Sequence, residues 1–231
     1  MSNRNGFGRS SIGKKWIIAL TGVVLVGFVL GHLVGNLQIF LPNKNQLNAY
    51  GALLHGLGPL LWVVRAFLLA CVSIHLWLTI ELTLENRRAR PLGYEKARFR
   101  EASWAGRYMA VSGLIVLGFI IFHILHFTAN VIDPGFANID QVMANGAVRH
   151  DVYRMVVVGL HNPLVSVFYI LGMVLLCLHL SHGLRSLVQT LGLKTSKLAP
   201  WIDHGGPVLA VILCLGFIAI PVSVMTGILH L

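Results

Sequence analysis

Five long apolar stretches, separated by shorter polar connections, occupy most of the 231-residue chain. They cover about residues 15–40, 59–84, 107–131, 163–184 and 207–230. Each is at least as long as the roughly 20 residues that a helix needs to cross a bilayer. The pattern therefore predicts an all-α integral membrane protein with five transmembrane helices, numbered first to fifth below, in which residues 1–231 form a single membrane domain.

The polar connections leave no room for a soluble domain. They comprise an N-terminal arm and three loops at 85–106, 132–162 and 185–206. The composition agrees, because 56% of the residues are hydrophobic, 11% are charged and the mean hydropathy is +0.75. The first apolar stretch is about twice as long as a signal-peptide core, so we expect a retained helix. A catalytic globular domain would have to come from another polypeptide.

Basic residues lie mainly on one side of the predicted membrane. Fourteen of them precede the first helix or lie between the second and third or the fourth and fifth helices, whereas the opposite side carries Lys44, Arg149 and Arg154. By the positive-inside rule, we expect a cytoplasmic N-terminus and an external C-terminus. The net charge of +10 is thus mostly a topology signal, and the basic residues flank membrane spans instead of forming a nucleic-acid-binding face.

Four of the eleven histidines lie deep in the first four helices, one in each. They are His32, His75, His123 and His179, and each lies 16 or 17 residues past the point where its helix enters the membrane, about 25 Å along the axis. Because successive helices run in opposite directions, His32 and His123 share one level, the outer pair, and His75 and His179 share the other, the inner pair. Two levels with two histidines each match two stacked bis-histidine haems.

A repeat relates the first and third helices. Nine residues separate Thr21-Gly22 from His32, and nine also separate Ser112-Gly113 from His123. The two helices therefore resemble copies of one template.

Glycines are frequent in these helices, at positions 27, 31, 35, 113, 118 and 172. Small residues permit close helix packing, which we favour, and the same flat surface would admit a porphyrin.

The alternatives to haem ligation are hydrogen-bonded core histidines or a transporter's proton relay. A relay normally includes carboxylates within the membrane, but Glu81 and Glu85 lie only at the inner end of the second helix. The chain has no CxxCH motif, so a haem would be bound non-covalently, as b-type haem.

Further polar residues are candidates for binding haem propionates or a quinone. The propionate candidates are Arg65, His126, His182 and Arg185, and the quinone candidates are Asn36, Gln38, Tyr50 and His55. For each set an ordinary role remains open, such as an interfacial hydrogen bond, a side chain reaching the membrane surface, or a loop or capping contact. His150, His161 and His204 lie in or beside loops and receive no chemical assignment.

The residues around the four deep histidines resemble a known family. The matching stretches are Gly31-His32-Leu33-Val34-Gly35-Asn36-Leu37, Ile74-His75-Leu76-Trp77, Phe122-His123-Ile124-Leu125-His126-Phe127-Thr128 and Leu178-His179-Leu180-Ser181-His182-Gly183. With five helices and one deep histidine on each of the first four, the chain resembles the cytochrome b membrane anchor of succinate dehydrogenases and fumarate reductases, in its single-chain di-haem form. The resemblance covers nearly the whole chain.

The resemblance implies a set of partners and cofactors. It assigns His32 and His123 to a distal haem b and His75 and His179 to a proximal haem b. It also implies a prokaryotic cytoplasmic membrane, an iron–sulfur subunit and a flavoprotein subunit with FAD on the cytoplasmic face, and a quinone, commonly menaquinone. No succinate-oxidising site is expected on this chain. Residues 41–58 contain no acid, whereas fumarate reductases of this form carry a glutamate there, so succinate oxidation is the favoured direction.

Two other classes of protein remain open. One is the cytochrome b subunit of a membrane hydrogenase, formate dehydrogenase or nitrate reductase, although those families tend to place two ligands on one helix. The other is a haem-free transporter or structural anchor, which would explain the hydrophobicity but not the matched depths of the histidines.

Overall fold

The structure, a computed structural model, describes residues 10–89, 109–143, 146 and 148–231. The α-helices within these residues are α1 (Ser11–Leu37), α2 (Asn45–Gly56), α3 (Pro59–Arg88), α4 (Met109–Phe127), α5 (Val152–Gly159), α6 (Pro163–Thr190) and α7 (Ala199–Met225). Short 3-10 helices cover Gln38–Phe40 and Pro134–Asn138, and strands β1 (Asp140–Val142) and β2 (Val148–His150) pair antiparallel. In this part of the chain, α1, α3, α4, α6 and α7 are long and apolar enough to cross a membrane. The prediction of an all-α, multi-pass membrane protein is confirmed.

Several helices extend beyond the predicted spans. Helix α7 begins at Ala199 instead of 207 and ends at Met225 instead of 230, while α3 and α6 continue past 84 and 184. Hydropathy marks only the part of a helix that lies in lipid, whereas the backbone hydrogen bonds continue into polar sequence. Pro200 fits the first turn of α7, where its missing N–H breaks no helical bond. The predicted start of the third helix at 107, the basic residues of 90–108, and Arg4 and Arg9 lie outside the described residues.

Four of the membrane helices form a ring. Helix α1 packs against α3 and α6, and α4 also packs against α3 and α6. Consequently α1 stands diagonally opposite α4, and α3 stands diagonally opposite α6. Because the histidines of the outer pair lie on α1 and α4 and those of the inner pair on α3 and α6, each pair spans one diagonal of the ring.

Helix α7 lies beside this ring and packs against α6 and α1. Its Ala210 and Leu213 are buried against Leu33 of α1 and Leu180 of α6. Side chains on other helix faces, such as Leu164, Trp77 and Trp62, are largely exposed, as expected for surfaces that contact lipid.

Salt bridges connect α1 and α3 at one end of the two helices. Lys14, with a side chain only 4% exposed, lies 2.8 Å from a carboxylate oxygen of Glu81 and 2.6 Å from one of Glu85. The two acids of the second predicted helix are thus engaged by a lysine at this end of the ring.

At the other end of the ring, the connections between membrane helices fold against each other as a cap. The cap comprises α2, the β1–β2 hairpin and α5, and α2 contacts both α5 and β2. The segment 132–162, predicted only as a mixed loop, therefore contains regular structure. The Asp151 carboxylate caps α5 by accepting a hydrogen bond from the Arg154 amide.

Asn48 is the polar centre of the cap. Its side chain is 2% exposed, donates to Gln141 and Asp151 at 3.1 and 2.8 Å, and accepts the Tyr153 amide at 2.8 Å. Asn48→Ala leaves buried hydrogen-bonding groups without partners, which we expect to lower the free energy of unfolding by about 1–3 kcal/mol. Thermal unfolding of the detergent-solubilised protein measures this loss.

The matched control is Asn45→Ala, because Asn45 accepts hydrogen bonds from Gln141 and Arg149 but is exposed to solvent. Loss of the Asn45 side chain should lower the free energy of unfolding much less, since water can replace it as the acceptor for Gln141 and Arg149. Equal shifts for the two variants would contradict the role assigned to Asn48.

Candidate cofactor site

The outer pair comes together inside the ring. The imidazole of His32 on α1 and that of His123 on α4 have ring centres 5.8 Å apart and ring planes at 85°. Two imidazoles that share one metal ion each stand about 2 Å from it through a ring nitrogen, which puts their ring centres about 6 Å apart. The two residues therefore lie at one level of the ring, at a separation that is compatible with a bis-histidine metal site.

Aromatic side chains surround the outer pair. His32 stacks on Phe28 at 5.3 Å and lies 6.0 Å from Phe217 of α7, while His123 stacks on Phe119 at 6.1 Å. Tyr169 of α6 is 5.9 Å from His123, ring centre to ring centre. Such a surrounding keeps water away from the two imidazoles, which favours a redox cofactor over a hydrated ion.

His126, a propionate candidate, lies deeper in the protein than its position near the end of α4 suggests. It is 3% exposed, its Nδ1 lies 3.0 Å from the Tyr169 hydroxyl, and Phe127 and Phe136 pack against its ring. The same hydroxyl lies 3.4 Å from Nδ1 of His123. His126 thus has the surroundings of a hydrogen-bonded core histidine, and its binding of a propionate stays a prediction.

The inner pair is held by hydroxyl groups of neighbouring helices. Nδ1 of His75 lies 3.1 Å from Oγ1 of Thr21 on α1, and Nδ1 of His179 lies 3.2 Å from Oγ of Ser112 on α4. The sequence repeat contains both hydroxyl residues, but its spacing relates them to the outer histidines of their own helices. Their contact with the inner histidines joins different helices and could not be read from one segment.

The glycines fall into two groups. A Cβ built on Gly113 would lie 3.2 Å from Cε1 of His179, and one on Gly22 would lie 3.6 Å from Cε1 of His75, so both glycines adjoin the inner pair closely. In contrast, no heavy atom lies within 4 Å of a Cβ built on Gly27, Gly31 or Gly118, among the residues described. Close packing therefore explains only some of the glycines, and the others leave open surface on α1 and α4.

Two arginines were predicted to bind propionates. Arg65 on α3 is half-buried, with its guanidinium 4.9 Å from the ring centre of Trp62. Arg185 on α6 donates to the backbone carbonyl of Asp203, while its Nε is buried and has no hydrogen-bond partner within the described residues. A buried N–H without an acceptor is rare in proteins, so Arg185 fits the binding of an anionic group such as a propionate. His182 lies half-buried on α6, between His179 and Arg185 in sequence.

The quinone candidates lie near the cap. Asn36 donates to the backbone carbonyl of His32 at 2.8 Å, and Tyr50 packs so tightly on Gly35 that a Cβ there would lie 2.5 Å from its ring. His55 is exposed and lines a cleft that also contains Arg149 and His150. Gln38 is half-buried in the 3-10 helix that follows α1. The structure thus places Asn36 one turn beyond His32 on α1, and Tyr50 against the same part of that helix.

The donor set suits haem better than a metal ion bound by protein alone. Over the described ranges, no three His, Cys, Asp or Glu residues gather as they would around such an ion. A haem iron receives its remaining ligands from the porphyrin, so two imidazoles are sufficient. The residues present therefore fit bis-histidine haem.

Comparisons with known proteins found no match for the chain among family models, curated proteins or solved structures. The resemblance to succinate dehydrogenase and fumarate reductase anchors therefore has no support from these comparisons. What it implies for haem, partners and quinone is a proposal.

Proposed function

We propose that this chain is a di-haem cytochrome b and the membrane anchor of a succinate:quinone oxidoreductase. The observation that carries the proposal is the approach of His32 to His123, with ring centres 5.8 Å apart, across one diagonal of the helix ring. The inner pair lies across the other diagonal, with each histidine hydrogen-bonded to a hydroxyl group of an adjacent helix.

In this proposal, His32 and His123 hold one b-type haem, and His75 and His179 hold the other. Each haem iron supplies one-electron chemistry by alternating between the ferric and ferrous states. The chain supplies the axial nitrogens, and the aromatic residues around the outer pair exclude water. Arg185, about 9 Å further along the axis of α6 than His179, offers a buried N–H to an anionic group.

The partners proposed are those of the resembling family. The iron–sulfur and flavoprotein subunits would dock at the end of the ring where Lys14 meets Glu81 and Glu85, because most of the basic residues flank the helices at that end. A quinone, commonly menaquinone in this family, would bind near the cap, where Asn36 lies one turn beyond His32 on α1 and Tyr50 packs on Gly35 of the same helix. The proposed direction is succinate oxidation.

The transporter alternative has less support. A proton relay needs titratable partners along the membrane path, whereas Glu81 and Glu85 lie at one end of α3 and bind Lys14. The rings that surround His123 are Phe119, Phe127 and Tyr169, which suit a sealed cofactor site better than a hydrated path.

The experiment purifies the native complex through a tag on this chain, identifies the co-purifying subunits, and records visible spectra after adding succinate, formate or hydrogen. We expect a flavoprotein and an iron–sulfur protein to co-purify. The b-type haem should be reduced by succinate but not by formate or hydrogen. The chain purified without its partners is the control, and it should be reduced by dithionite but not by succinate. Reduction by formate or hydrogen instead would assign the chain to another oxidoreductase, and a haem-free complex would overturn the proposal.

A further inference from the structure

Thr21 and Ser112 occupy equivalent positions on two different helices and touch two different histidines. We propose that they are positioning residues that fix which nitrogen of His75 and His179 faces the metal, an inference that rests on the proposed function. The direction of their hydrogen bonds, the symmetry of the two contacts and the surroundings of each histidine support this role.

The direction of each hydrogen bond follows from the single proton of a hydroxyl group. Thr21 Oγ1 lies 2.8 Å from the carbonyl of Ile17 and 3.0 Å from that of Ile18, to which it donates. Ser112 Oγ likewise donates to the carbonyl of Met109 at 3.0 Å. With their protons used in this way, both hydroxyl oxygens can only accept from the histidine beside them.

We therefore assign Nδ1 as the donating nitrogen of both histidines. His75 Nδ1 also lies 3.1 Å from the carbonyl of Ile18, which can only accept, so the same tautomer is required twice. In a neutral imidazole with its proton on Nδ1, the lone pair lies on Nε2. Both inner histidines are thereby prepared to bind iron through Nε2, before any haem is present.

The two contacts are alike although they arise in different parts of the chain. Thr21 and Ser112 each precede a glycine that adjoins the ring of the contacted histidine, and their distances to Nδ1 are 3.1 and 3.2 Å. A Cβ on Gly113 would lie 3.2 Å from the His179 ring, tighter than ordinary contact, whereas one on Gly22 would lie 3.6 Å from the His75 ring, in ordinary contact. The hydroxyl group is therefore the element that the two sites share, which accounts for Thr21 and Ser112 in the repeat.

The two histidines differ in how much they depend on the hydroxyl. His75 keeps the carbonyl of Ile18 as a second acceptor if Thr21 is changed. For Nδ1 of His179, the part of the chain that the structure describes provides one partner, Ser112. Loss of the Ser112 hydroxyl should therefore have the larger effect.

A hydrogen bond from Nδ1 makes the opposite nitrogen a stronger donor to the metal and so favours ferric over ferrous iron. We expect Ser112→Ala to shift the ferric-to-ferrous ratio of the inner haem at a given potential by roughly ten-fold, which raises its potential by about 59 mV for a one-electron couple. Thr21→Val should raise it by less. The potential of the outer haem should remain unchanged in both.

The test uses the native complex, with redox potentiometry of each haem and electron paramagnetic resonance of the ferric state, which reports the orientation of the axial rings. Ser112→Thr and Thr21→Ser keep the hydroxyl and should restore both readouts. Ser181→Ala and Thr83→Val are matched controls, because these hydroxyls also donate to a carbonyl of their own helix and, among the contacts described, touch no histidine.

The possible results separate this inference from the proposed function. A wild-type complex without haem would overturn the proposed function itself. Two haems in the wild type, with the inner haem unchanged in both Ser112→Ala and Thr21→Val, would overturn the positioning role alone. If Ser112→Ala fails to assemble, Thr21→Val still decides the question, because Ile18 keeps part of the support for His75.

Discussion

Replacing one histidine of the outer pair with alanine should remove one haem and leave the other in place. His32 and His123 approach each other across one diagonal of the ring, whereas His75 and His179 lie on the helices of the other diagonal. Alanine offers iron no nitrogen, so a single substitution destroys one site of the two. We therefore expect the haem content per chain to fall from two to one in each of the four alanine variants.

Electron paramagnetic resonance of the ferric complexes identifies which haem is lost. His32→Ala and His123→Ala should lose the same low-spin signal, and His75→Ala and His179→Ala should lose the other. His204→Ala is the control, because this histidine is exposed and its hydrogen bond goes to the backbone carbonyl of Pro200, and it should keep both signals. Loss of one and the same signal from His32→Ala and His75→Ala would show that the histidines are paired differently.

Gly172→Ala should destabilise the protein although alanine is the better helix former. A Cβ at position 172 would lie 2.4 Å from Cδ2 of Phe119, much closer than atoms in contact allow. Phe119 is itself buried and packs against Tyr169, Phe168 and His123, so its ring cannot move without disturbing them. We expect this overpacking to lower the free energy of unfolding by about 1–3 kcal/mol. It should also weaken binding of the outer haem, because His123 is displaced.

Gly118→Ala provides the matched control. It adds the same methyl group to α4, where no described heavy atom lies within 4 Å of the new Cβ. The free energy of unfolding should stay the same or rise by up to about 1 kcal/mol, because alanine has the higher helix propensity. Thermal unfolding and the haem content of the two variants are measured side by side. Wild-type stability in Gly172→Ala would show that α4 and α6 pack less tightly than the structure indicates.

The membrane helices could be predicted from the sequence because lipid requires long apolar segments. Their ends could not, since α3, α6 and α7 extend into polar sequence where hydropathy gives no signal. The cap was also missed. Its stability depends on Asn48, whose partners Gln141 and Asp151 lie about a hundred positions further along the chain and cannot be identified from local pattern.

The candidate site also has features that the sequence could predict and features that it could not. The common level of His32 and His123 could be predicted by counting residues along the first and third membrane helices, which run in the same direction, because depth depends only on the rise per residue. The roles of Thr21, Ser112 and Tyr169 depend on which helix faces which, and that is set by the packing of the ring. His126 was assigned from its position near a helix end, but the surrounding rings of Phe127, Phe136 and Tyr169 bury it.

The number of haems per chain decides whether both pairs of histidines ligate haem. The native complex is purified, its haem is converted to the pyridine haemochrome, and the amount is divided by that of this chain from quantitative amino-acid analysis. Two non-covalent b-type haems per chain are the predicted result, because two pairs of histidines are available. A haem-free complex would contradict the account and return the four histidines to structural or transport roles, while a single haem would contradict ligation by one of the two pairs.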